Sequence, residues 1–373
     1  MSFTRLLNHE HDSELIRIAK DCDAGKRISN RDGLYLYEKA SLGFVGALAN
    51  LLNERRHQKN VFFNRNFHIE PTNLCVYTCS FCSYSRLLKQ QDEGWALEID
   101  QIISKLQAYD GIPVTEVHIT GGVIPKQDFI FYETLFNRIR QHRPDIHIKA
   151  LTPVELFYIF KKAKLSTAEG LQRLADAGLG SMPGGGAEIF DETLRTEIAG
   201  GKCSSAYWLE THETWHRMGK HSNATMLYGH IETFEQRIDH MDRLRQLQDK
   251  TGGFQAFIPL KFRNKDNAMA HVAEVSVIED LRNYAISRIY LDNIPHIKAY
   301  WAMIGRKTAQ LALQFGANDI DGTIDDTTKI YSMAGAEEQH PKMSTDELVN
   351  LIKALGRTPV ERDTLYGIVK TYA

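Results

Sequence analysis

Three cysteines stand within one short run, NLCVYTCSFCSYS, as Cys75, Cys79 and Cys82. The C-x3-C-x2-C spacing gathers three thiols on one loop, and thiolates are ligands for zinc and for iron–sulfur clusters. A structural zinc site closes with four protein ligands, and a ferredoxin-type 4Fe-4S cluster takes four cysteines. Three are one too few for either. On a cluster the vacancy is an iron with an open position for a small molecule, and that is where chemistry is expected. His57 and His68 are candidates for a fourth zinc ligand, yet neither has zinc-finger spacing. The other two cysteines, Cys22 and Cys203, are isolated and read as structural.

A loop of this kind needs a rigid frame to present it. From about residue 66, short β-like runs alternate with longer amphipathic stretches, the pattern of parallel strands joined by helical crossovers. Eight runs are predicted as strands: 67–70, 116–120, 147–151, 180–182, 224–228, 255–259, 288–291 and 317–320. Helical periodicity falls between them over 131–142, 168–177, 234–250 and 300–315. Eight βα units predict class α/β and a closed (β/α)8 TIM-type barrel. Residues 13 to 58 read as helices, so an N-terminal helical segment over 1–65 is expected to pack on a barrel spanning 66–335. A C-terminal helical extension over 336–373 carries Leu348, Leu351, Ile352 and Leu355 on one face and is stopped by Gly356 and Pro359. The run from Tyr331 to His340 is expected to form part of a cap over the barrel mouth.

In such barrels functional groups gather where strands end and loops begin. The cysteine loop follows the first predicted strand, Gly121-Gly122 the second, Thr152-Pro153 the third, the run Pro183 to Glu188 the fourth, and Gly229-His230-Ile231-Glu232 the fifth. The Gly-His-x-Glu turn makes His230 and Glu232 the candidate catalytic pair, with the imidazole as acid or base. A satisfied structural histidine is the competing reading.

The chain has 373 residues, 43% of them apolar, which is enough for a large core. Forty-five basic residues against 47 acidic ones leave a formal charge of -2, and no basic run is interleaved with aromatics, so no nucleic-acid partner is expected. Five cysteines without a disulfide framework suit a reducing compartment. No apolar run reaches membrane-helix or signal-peptide length, so a cytoplasmic protein without a membrane partner is expected.

The cysteine spacing, with Phe81 just before the third thiol, resembles the signature of the radical SAM superfamily. The resemblance implies a radical SAM barrel holding a 4Fe-4S cluster on Cys75, Cys79 and Cys82, with S-adenosyl-L-methionine (SAM) as co-substrate chelating the open iron. Phe81 would lie near the adenine, and Thr120, Gly121 and Gly122 would expose backbone to the methionyl amine, glycine allowing close approach. Glu188, Asn223 and Tyr228 are the further cofactor-binding candidates. Many relatives carry Glu after the glycine pair, where this chain has Val123.

The runs HIEPTN (68–73), SMPGGGAEIF (181–190), SNATMLYGHIET (222–233) and GGFQAFIPL (252–260) resemble the menaquinone and deazaflavin branch of that superfamily. The similarity extends over roughly residues 14 to 370. The branch includes the aminofutalosine synthases, the dehypoxanthine futalosine cyclases and the deazaflavin (FO) synthase subunit, and the runs look most like the first. The implied reaction adds the SAM-derived 5'-deoxyadenosyl radical to the enol-ether bond of 3-[(1-carboxyvinyl)oxy]benzoate. The implied partners are this small enolpyruvyl-type benzoate and an external electron donor such as flavodoxin or ferredoxin. Two substrate carboxylates call for donors in a dry pocket, and His68, Asn73, Lys261 and Arg263 are the candidates, with Lys149 near another strand end. A zinc-stabilised binding module and an iron–sulfur electron carrier remain the non-catalytic alternatives.

Overall fold

The computed structural model describes residues 2–325 and 329–372. Four helices, Phe3–Asn8, Ser13–Asp23, Asn30–Lys39 and Leu42–His57, open the chain. Their starts are written locally: the Asp12 carboxylate accepts from the Glu14 and Leu15 amides, and Ser29 with Asp32 forms a capping box. The fourth helix packs against Val277–Tyr290, with Gly46 pressed to the Phe315 ring, where a Cβ would come within 2.5 Å.

Parallel strands then follow with helices between them: Asn66–Ile69, Glu116–Ile119, His147–Ala150, Leu179–Met182, His221–Tyr228, Phe254–Lys261, His296–Ala299 and Asp319–Ile320, each paired to the next. The first and last of these staves are each part of a longer, interrupted run. Asn60–Asn64 leads into Asn66–Ile69, and Asp319–Ile320 is followed by Thr323–Asp325. The early halves pair at Phe62 with Asp319, and the late halves pair at Asn66 with Thr323, so the curled sheet meets itself along this seam. Gly322 is required there, because a Cβ would stand 1.6 Å from the Asn64 carbonyl oxygen. The result is a TIM-type α/β barrel, as the alternation of elements led one to expect.

Two expectations need correction. The run 288–291 is not a strand: it closes the helix Val277–Tyr290, and the seventh stave is His296–Ala299. That helix lies between the barrel and the N-terminal helices, so ten of its residues are buried and no polar face marks it as helical. The C-terminal extension is mixed, not helical. After Thr345–Lys353 come Thr358–Arg362, which pairs parallel to Asn60–Asn64, and Ile368–Thr371, antiparallel to it. The expected boundary at residue 65 therefore falls inside the first stave.

Candidate active site

The loop after the first stave is held by its own polar groups before any ligand is considered. Thr72 Oγ1 donates to the Trp95 carbonyl (2.6 Å) and accepts from the Leu74 amide, while Tyr84 donates to the Thr72 carbonyl (3.0 Å). Asn73 Oδ1 accepts from the Trp95 amide at 2.8 Å. These bonds fix Cys75 against the loop of the second stave, where the Val76 amide donates to the Val123 carbonyl and the Val123 amide to Cys75 Sγ at 3.4 Å. Cys75 Sγ also accepts from the Tyr77 amide, and Cys82 Sγ from that of Ser85. Ser80 donates through amide and hydroxyl to the Ile198 carbonyl, tying the Cys79 turn to the fourth crossover.

All three cysteines line one cavity of about 310 Å³ at the barrel mouth. With them lie Phe81, Thr120, Gly121, Gly122, Glu188 and Asn223, six of the seven candidates for the cofactor side. The glycine pair is explained by chain packing: a Cβ at Gly122 would stand 2.0 Å from the Leu74 carbonyl oxygen, and one at Gly121 2.6 Å from that of Thr72. The pair thus lets two loops close together beside Cys75. Burial pushes the Cys79 thiol up to about 11 and raises Cys75, so a metal must displace protons from both.

Lys202 lines the same cavity. Its ammonium donates to Glu188 Oε1 at 2.7 Å and lies 5.1 Å from the Phe81 ring centroid. Burial alone would lower its pKa, but Cys79, Glu188 and Cys82 outweigh that and hold it above the ordinary lysine value. A buried cation facing clustered thiols suits a site where thiolates carry negative charge. Among the described residues no three His, Cys, Asp or Glu side chains are gathered to share one ion. Three thiols leave a structural tetrahedral zinc one protein ligand short, whereas a 4Fe-4S cluster places each cysteine on a different iron.

The floor of the cavity is made of buried charge pairs: Lys149 with Glu116 at 2.6 Å, and Lys298 with Asp321 at 3.2 Å and Asp319 at 3.6 Å. His68 lines it, its ring 4.7 Å from that of His118. Lys261 and Arg263 line it too, but each is engaged: Lys261 with Asp280 (2.8 Å) and the Val275 carbonyl, Arg263 with Glu274 (3.3 Å) and the Gly335 carbonyl. Ile330, Tyr331 and Ala334 close one side, in agreement with the expected cap, and His340 is exposed away from it.

Four candidates are not brought to the cavity. Asn73 is fully buried as the splint of the cysteine loop. Tyr228 points into the helix layer, donating to Asp280 at 2.8 Å with the Arg237 guanidinium over its ring. Strand alternation decides this: Asn223, Thr225 and Leu227 face inward, so Tyr228 faces out. Glu232 accepts from the Gly229 and His230 amides and pairs with Arg237, and His230 stands 3.2 Å from Glu232 with both side chains fully buried. That pair locks a turn outside the cavity wall. His230→Gln is therefore expected to lower thermal stability by about 1 kcal/mol while turnover stays within about twofold. Melting curves and steady-state rates check both, and a collapse of turnover in a stable, cluster-loaded variant would return His230 to the chemistry.

Residues first assigned by the structure are Glu116, His118, Glu155, Lys202, Lys298, Asp321 and Tyr300. For Glu155 a signal was present: Thr152-Pro153-x-Glu155 is a capping box at the start of Pro153–Ala163. For Lys202 there was none, because it reaches the thiols from more than a hundred residues downstream.

Residues 69–244 match the radical SAM superfamily, and residues 251–372 match the CofH/MqnC C-terminal region. An aminodeoxyfutalosine synthase of Thermus thermophilus is 42% identical over 97% of each chain, and that of Streptomyces coelicolor 36% identical over 94% of this chain and 92% of its own. A cyclic dehypoxanthine futalosine synthase of Streptomyces coelicolor is 35% identical, covering 92% of this chain and 86% of its own. Among solved structures, methylornithine synthase superposes with a TM-score of 0.73 at 16% identity, covering 92% of this chain and 97% of its own. That likeness concerns the fold alone.

Proposed function

The chain belongs to the radical SAM superfamily, in the branch of the aminodeoxyfutalosine synthases and their relatives, and from that premise we propose that it is an aminodeoxyfutalosine synthase. It is an enzyme of a family that uses a 4Fe-4S cluster and SAM. The observation that carries the reading is the convergence of Cys75, Cys79 and Cys82 with Gly121, Gly122 and the Lys202–Glu188 pair on one cavity.

The residues present fit the cluster: three thiols on a loop pinned independently of any metal, amide donors to two of the sulfurs, and a buried ammonium among them. When bound, the cluster supplies the electron that breaks the sulfonium–carbon bond of SAM. Lys202 donates once to Glu188 and keeps two donors for the methionyl carboxylate. Glu188, beside Gly184 to Gly186, would accept from ribose hydroxyls, and Phe81 would cover the adenine. Asn223 faces the same space from the fifth stave.

The adenosyl fragment would then add to the enol-ether carbon of 3-[(1-carboxyvinyl)oxy]benzoate, and rearrangement with loss of the carboxylate as CO2 would give 6-amino-6-deoxyfutalosine and methionine, the priming electron being regained so that none is consumed overall. For the two substrate carboxylates, Lys149 has one charged partner and two further donors at the cavity floor, with His68 and His118 beside it. Each cavity-lining Lys and Arg among the described residues already has a carboxylate partner, so the substrate joins ion pairs instead of meeting bare cations. Tyr300, Met303 and the Ile330–Ala334 cap restrict water at the mouth. An external one-electron donor such as flavodoxin or ferredoxin completes the scheme, and five unpaired cysteines suit the reducing cytoplasm.

The test is a substrate panel. Reconstituted protein with SAM and reductant should convert the enol-ether benzoate to aminodeoxyfutalosine, and should leave dehypoxanthine futalosine and the tyrosine-derived deazaflavin precursors unchanged. Turnover of either of the latter alone would move the chain to a sister activity.

A further inference from the structure

Four carboxylates line the cavity among the described residues: Glu116, Glu155, Glu188 and Asp321. Three are matched by ammonium groups, Glu116 by Lys149, Glu188 by Lys202 and Asp321 by Lys298. Glu155 has no such partner. It is 4% exposed, and its Oε2 is held by the Thr152 amide at 2.7 Å and by Thr120 Oγ1 at 3.4 Å, while Oε1 is buried without a hydrogen-bond partner. Leaving a carboxylate oxygen so placed is costly unless something arrives to use it.

The position of Glu155 indicates what arrives. Thr120, which donates to it, immediately precedes Gly121-Gly122, and the Gly121 amide is close enough to act on its charge. Beyond the pair comes Val123, whose side chain cannot accept a hydrogen bond and whose amide is committed to Cys75 Sγ. A carboxylate is thus delivered to the glycine pair from the helix of the third stave. We propose that Glu155 is a binding residue for the amino group of the methionyl moiety of SAM. The proposal rests on the use of SAM and not on which substrate receives the adenosyl fragment. Burial brings the Glu155 carboxyl up to about 7, and a nitrogen donor beside Oε1 restores its charged form.

Glu155→Gln tests this with little disturbance, because Gln at this position still accepts from the Thr152 amide and preserves the capping box. Holoenzyme with iron content verified would be titrated with SAM, with S-adenosylhomocysteine, which keeps the amino group, and with 5'-methylthioadenosine, which lacks the amino-acid tail. Loss of a charge-assisted hydrogen bond predicts about tenfold or greater weakening for the first two and none for the third. Equal weakening of all three, or no change in any, overturns the proposal. Should the Gln variant fail to hold its cluster, Glu155→Asp, which keeps the charge but withdraws it by one methylene, is read in the same assay, with the same pattern expected. Absence of a cluster in the wild-type protein would instead refute the superfamily reading, and absence of the aminodeoxyfutalosine product would refute only the substrate assignment.

Discussion

Cys79→Ala is expected to abolish cluster formation and SAM cleavage while leaving the fold intact. With the thiol removed, two cysteines remain, too few to hold a cluster that already leaves one iron open. Iron after anaerobic reconstitution should fall from about four per chain towards zero, and product formation by at least about a thousandfold. The apo fold should survive, because the loop is held by Thr72, Asn73, Tyr84 and Ser80 and not by the sulfur. Cys203→Ala is the matched control. Cys203 is buried outside the cavity, with its carbonyl accepting from Arg195, so its loss should leave iron content unchanged. Full iron loading in Cys79→Ala, or its loss in Cys203→Ala, would contradict the assignment of ligands.

Lys202→Met should damage both stability and cofactor binding, and the two effects separate in a double variant. Methionine fills the stem's volume but leaves Glu188 buried without its cation, a change that costs about 3 kcal/mol in comparable buried pairs. In Lys202→Met/Glu188→Gln neither charge remains, so most of that stability should return. SAM affinity should not return, because the donors to the methionyl carboxylate are gone. Thermal melts and SAM titrations of the two variants make the comparison. A single variant as stable as wild type with unaltered SAM affinity would show that Lys202 is a bystander.

The barrel was legible in the sequence wherever a stave had one face inward and a crossover helix had a polar side. Phe234–Thr251 shows both a clear apolar stripe and its capping box at Thr233 and Gln236. The seventh stave was missed because Val277–Tyr290 is buried on nearly all sides, so an apolar run at its end imitates a strand. The closing β-hairpin was missed because Thr358–Arg362 mixes Pro359 with charged residues, and only its pairing with Asn60–Asn64 makes it a strand.

At the site, the sequence shows a residue's position along a stave more readily than the direction of its side chain. The three cysteines, Gly121, Gly122, Phe81, Glu188 and His68, singled out by strand ends and spacing, all line the one cavity. Asn223 and Tyr228 are five residues apart on one strand and so face opposite ways, a conflict the period-two rule exposes without a structure. His230 and Glu232 sit at a mouth-side turn, but burial directs them inward to Arg237 and the Leu227 carbonyl. The charge pairs of the floor could not be read, because Glu116 with Lys149 and Lys298 with Asp321 meet only when separate staves are brought side by side.

The most direct measurement follows the fate of the adenosyl group. SAM labelled at the 5' carbon of its ribose would be given to the reduced holoenzyme with the enol-ether benzoate. The label should appear in aminodeoxyfutalosine in one-to-one proportion with the methionine released, with little free 5'-deoxyadenosine. Substrate consumption with all of the label recovered as free 5'-deoxyadenosine would mean that the radical only abstracts hydrogen, and SAM would not be a building block of the product.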